Sequence, residues 1–92
     1  MAKTHLPLIR TLVQSVLRFG DHLLWCEVVV RDRHDYEVHV VPQWDMSMAI
    51  VEPFGRALDA LQRHAELSWL LRQSGWDPAL VDDSTRRGFA AA

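Results

Sequence analysis

Two stretches of the chain, Leu23 to Arg31 and Tyr36 to Gln43, alternate apolar and polar residues with the two-residue period of a β-strand, whereas apolar residues elsewhere recur at helical spacing. In the first stretch Leu24, Cys26, Val28 and Val30 share one face, and Leu23, Trp25, Glu27, Val29 and Arg31 share the other. In the second, Tyr36, Val38 and Val40 oppose Glu37, His39 and Val41. Bringing the apolar faces together in a hairpin requires an odd-numbered loop, most simply Asp32-Arg33-His34 closed by Arg31 opposite Asp35. That register sets Val30 beside Tyr36, Val28 beside Val38, Cys26 beside Val40 and Glu27 beside His39, and a one-residue slip would mix the faces. The turn lacks glycine, but His and Asp tolerate positive φ better than most side chains.

Upstream, Ile9, Leu12, Val13, Val16 and Leu17 form an apolar stripe at three- and four-residue spacing, which predicts an amphipathic helix from Leu6 to Phe19. Thr4 is its N-cap, Pro7 sits in its first turn, and Gly20-Asp21 is a left-handed stop. Pro42 ends the hairpin. Met46 to Val51 alternates as a short third strand would, a reading slightly favoured over a lead-in to the next helix. Pro53 opens a long helix reaching Ser74, with Gly75 as its stop. Phe54, Ala57, Leu58, Leu61, Ala65 and Ser68 mark its expected core stripe, and Glu52–Arg56 and Asp59–Arg63 its charge pairs. Leu67, Trp69, Leu70 and Leu71 then surround nearly the whole circumference, so a second covering element or chain is expected there. Asp77-Pro78 has the signature of a short last helix carrying Leu80 and Val81, and residues 82–92 read as a frayed tail anchored by Phe89.

These elements define a single α+β domain over residues 1–92. It is a small two-layer structure in the order α-β-β-(β)-α-α, with helices on one face of an antiparallel hairpin or three-stranded sheet. Ninety-two residues allow one small core, and 49% hydrophobic with 24% charged residues is the composition of a folded chain. A net charge of −2 offers no general grip on nucleic acid, and Lys3, Arg10 and Arg18 are the sparse cations of a solvated helix face. The amino terminus has neither a cleavage site nor an apolar run long enough to span a bilayer. One cysteine permits neither an internal disulfide nor a thiolate-rich metal site, so the cytoplasm is the expected compartment.

Candidate chemistry is sparse. Glu27 opposite His39 is the best acid/base pair, since a carboxylate beside an imidazole sets its tautomer and raises its basicity. No nucleophile or oxyanion motif accompanies it, and a cross-strand pair on a half-solvated sheet is the blander reading. His22, Cys26, His34 and His39 are close in sequence but alternate between faces, so no metal site is expected, and Cys26 reads as a packing residue. No phosphate-cradling glycine loop is present and no cofactor is expected.

Four tryptophans exceed what so small a core hides. Trp25 with Val29 and Val41, rimmed by Glu27, Glu37 and His39, resembles an interface more than a solvated surface. The expectation is a non-enzymatic interaction or adaptor module, homodimeric through this hairpin face and the apolar helix end around Trp69, and able to take a protein partner. A small-ligand site is the alternative, in a cleft between sheet and helix lined by Trp25, Trp44, Met46 and Met48 and oriented by His39 or Glu27. A small acid/base enzyme using Glu27 and His39 ranks third.

Overall fold

The computed structural model describes residues 9–79. They form strands β1 (Ile9–Phe19), β2 (His22–Arg31) and β3 (Asp35–Pro42), a 3-10 turn (Met46–Met48), strand β4 (Ile50–Phe54), helix α1 (Ala57–Gln73) and a two-residue strand β5 (Asp77–Pro78). The strands make one antiparallel sheet in the order β4-β3-β2-β1-β5, with α1 packed on one face. The domain is thus a two-layer α+β structure, as its sequence predicts.

The β2–β3 hairpin has the expected register, from Arg31 opposite Asp35 through Glu27 opposite His39 to Cys26 opposite Val40. Asp32 takes the positive φ of the turn, at 57°. Between the layers lie Val28, Val38 and Ala60, flanked by Val13, Tyr36, Phe54 and Leu67.

The first predicted helix is instead strand β1. Its apolar spacing departs from two because of a β-bulge: Thr11 pairs with Val29 and Val13 with Val28, leaving Leu12 as the extra residue. The bulge also places Arg10 and Arg18 on opposite faces of the sheet, in register with Val30 and Leu23 respectively, so the basic row of a helix does not exist. Gly20, with φ 61°, belongs to the two-residue β1–β2 turn, where a positive φ at the first central position alone is the type II′ signature.

Met46 to Val51 divides into the 3-10 turn, capped by the Asp45 carboxylate accepting from Ser47 N at 3.1 Å, and the start of β4. Pro53 is in β4, the outermost strand on that side, where a missing N–H is tolerated, and α1 starts at Ala57. Glu52, now a strand residue, accepts from Arg63 Nε at 2.8 Å, and Arg63 also reaches Glu66, so the predicted pairs with Arg56 and Asp59 are not formed.

Helix α1 is rotated from expectation. Ala60 and His64 are its buried residues and Leu67 joins the core, whereas Leu58 and Leu61 are 57% and 38% exposed. His64 takes a core position because its Nε2–H donates to the Cys26 carbonyl at 3.1 Å, with Ser15 Oγ at 3.4 Å. The helix ends as predicted at Gly75, φ 103°, in a Schellman motif: Gly75 N donates to Arg72 O and Trp76 N to Leu71 O. Asp77-Pro78 is not a helix start but an edge strand on β1, extended by Ala79 N donating to Val16 O at 2.8 Å. Leu80, Val81 and the tail with Phe89 lie outside the described residues.

Candidate functional site

Alternation along β2 and β3 delivers Trp25, Glu27, Val29, His39 and Val41 to the sheet face away from α1. Across this face runs a polar row spanning three strands. Gln14 Nε2 donates to Glu27 Oε2 at 3.4 Å, and Glu27 Oε1 lies 3.7 Å from His39 Nδ1. His39 Nε2 in turn meets Glu37 Oε1 at 2.8 Å, the oxygen that also accepts from Arg31 Nε at 2.8 Å. Both imidazole nitrogens therefore face carboxylates. The Arg31 hydrogen bond first, then that of His39, holds the Glu37 carboxyl below its ordinary 4.5.

The closer carboxylate to His39 is Glu37, two residues away on the same strand face, not the cross-strand Glu27. Period-two spacing puts Glu37 and His39 on one face, since i, i+2 residues of a strand share a face, but does not say which carboxylate the imidazole meets. Chemically the row fixes charge. Its carboxylates are shared with Arg31 and His39, and among the described residues no serine, threonine or cysteine side chain hydrogen-bonds to His39 to serve as a nucleophile. Val29, at the centre of this face, is only 3% exposed.

The remaining predicted residues lie apart. Trp44 sits at the end of the sheet, edge-on to His22 at 4.8 Å and stacked on Trp76 at 6.2 Å; Trp76 also meets Phe19 at 5.6 Å. Leu67 packs in the core and Leu71 is half-buried, so the helix end is apolar all round partly because it faces the sheet; Trp69 and Leu70 are exposed. A ligand cleft between sheet and helix cannot be lined by Trp25, His39 or Glu27, which are on the other face, and the core side chains Val28, Val38, Ala60 and Phe54 pack between the layers.

Among the described residues no three of His, Cys, Asp and Glu gather as metal ligands. No described helix is long and apolar enough to cross a membrane. The fold and this face define a small α+β domain in which, among the described residues, the helix packs on one side of the sheet. No protein-family model, curated protein or solved structure matches the chain.

Proposed function

We propose that the chain is a non-enzymatic interaction module of the cytoplasm that works as a homodimer. The observation that carries this reading is the outer flank of α1, where Leu58, Leu61, Ala65 and Trp69 follow one another at helical spacing and are all exposed, Trp69 at 60%. Three large apolar side chains around a small one form a seam rather than scattered surface residues. The stripe is self-complementary. In an antiparallel pairing about a two-fold axis at Ala65, Leu61 of one copy meets Trp69 of the other, and the small central residue permits close approach.

This helix seam and the hairpin face lie on opposite layers, so one two-fold contact uses only one of them. The helix seam, with its exposed Leu58, Leu61 and Trp69, is the one that suits the second copy. A buried Cys26 without a disulfide partner in the chain agrees with a reducing compartment.

Light scattering across a dilution series of the full chain tests the reading. Twice the monomer mass is expected for the native chain, and the monomer mass for Ala65→Arg with an unchanged circular dichroism spectrum. A native chain that is monomeric at every concentration, or a dimer indifferent to Ala65→Arg, overturns it.

A further inference from the structure

At the end of the domain opposite the aromatic cluster, an open cleft of about 420 Å³ lies between the β1 bulge, the β2–β3 turn and the first turn of α1. Its lining is Arg10, Leu12, Val30, Asp32, Arg33 and Tyr36, with Ala57 at the helix start. We propose that this cleft binds a small organic carboxylate, its charged group held by Arg10 and Arg33 and its apolar body lying on Leu12, Val30 and Tyr36.

Three observations converge on this chemistry. First, neither Arg10 nor Arg33 forms an ion pair or side-chain hydrogen bond with a described residue; Arg18, Arg56 and Arg72 share that state, but Arg10 and Arg33 are the two that line the cleft. Two uncommitted guanidiniums on one cleft present forked donors matched to a planar oxyanion. Second, the two arginines are brought together by irregular backbone. The bulge at Leu12 interrupts β1 beside Arg10, and the positive φ of Asp32 shapes the tight turn that carries Arg33. Third, α1 begins at this cleft with no side-chain cap on its N-terminus, and the positive end of the helix dipole adds to the same potential.

Size and sign narrow the ligand. The volume lies at the small-metabolite end of ligand pockets. Asp32 offsets one of the two arginines, leaving one formal positive charge in the lining, which matches a monoanion better than a phosphate dianion. The apolar floor distinguishes the site from a bare anion patch, so a carboxylate joined to a ring or short hydrocarbon fits better than acetate.

Benzoate is the probe, with benzamide as its neutral counterpart and inorganic phosphate as the bare anion. Titrated into the ¹⁵N-labelled full chain, benzoate should give saturable amide shifts around residues 10, 33, 36 and 57, with a Kd on the order of 1 mM for so small a ligand. Arg10→Ala and Arg33→Ala should each weaken it about tenfold or more. Arg72→Ala, at the far end of the helix, should leave it unchanged. Both cleft arginines are exposed, so the variants' own spectra show whether the fold is kept. Absence of saturation by benzoate, equal binding of benzamide, tighter binding of phosphate than benzoate, or affinity indifferent to both arginines overturns the proposal. The titration reads the cleft in monomer or dimer alike, so its failure is separable from that of the helix seam.

Discussion

Alkaline titration of Cys26 should destabilise the domain by an amount the structure fixes. The side chain is fully buried on the helix-facing side of β2. Burial first, and the Glu27 charge second, push its thiol from 9.0 up to about 11, against smaller opposing effects of Ser68 and Arg63. The unfolded thiol thus ionises first as pH rises, and between pH 9 and 11 the folded chain holds the proton that the unfolded chain has lost. Stability is fully present below pH 9 and falls as pH climbs to the folded value. With 1.36 kcal/mol per pH unit, the loss attributable to this one group is roughly 2–3 kcal/mol. The assay is urea denaturation at intervals from pH 8 to 11 for the native chain and Cys26→Ala. Subtracting one curve from the other removes every group the two share. The alanine variant should start about 1 kcal/mol less stable, from lost packing, and overtake the native chain as pH rises. Parallel curves would refute the reasoning. At neutral pH the same effect lowers the thiolate fraction about 100-fold, so alkylation of the folded chain should proceed only through opening.

Two further outcomes are expected. Gly75→Ala should destabilise by about 1–3 kcal/mol in chemical denaturation and Gly20→Ala by less, because both have positive φ but only at Gly75 would the added Cβ lie 2.9 Å from Phe19 Cε2; equal losses would remove the steric part of that account. Glu37→Gln should flatten the stability–pH curve below about pH 4.5, since a depressed carboxyl contributes stability above its unfolded value that is lost as pH falls through the folded one. With Arg31 more than a third exposed, the change at pH 7 should not exceed about 1 kcal/mol, and an unaltered acid limb would show that the Arg31–Glu37–His39 contacts do not form in solution.

The hairpin was legible because nothing interrupts its period of two: Val28, Val38, Cys26 and Val40 admit one register, and the odd loop follows from it. β1 was not, because the extra residue at Leu12 stretches its spacing until Ile9, Val13, Val16 and Leu17 imitate a helical stripe. The β-branched Ile9, Thr11, Val13 and Val16 suit a strand, a propensity that the periodicity argument leaves out of account. On α1 the apolar flank Leu58–Leu61–Ala65 was mistaken for the buried one, while the buried side carries Ala60 and a histidine, which gains its place through a carbonyl on β2 that the sequence does not display. The cross-strand Glu27–His39 pairing was legible and the shorter bond to Glu37 was not, because register fixes which residues are opposite and rotamers decide which ones touch. The cleft arginines, twenty-three residues apart and in different elements, leave no local pattern at all.

The order of elements along the chain also has a consequence during synthesis. The strands β1 to β4 form a meander in which each pairs with its predecessor, and this meander is complete at Phe54, before the first residue of α1. A ribosome working from the amino terminus therefore releases a sheet whose row of Val28 and Val38 has no cover until Ala60 and Leu67 follow. For that interval the nascent chain presents the surface that a chaperone would engage, and the seventeen-residue helix α1 acts as the latch that ends its exposure.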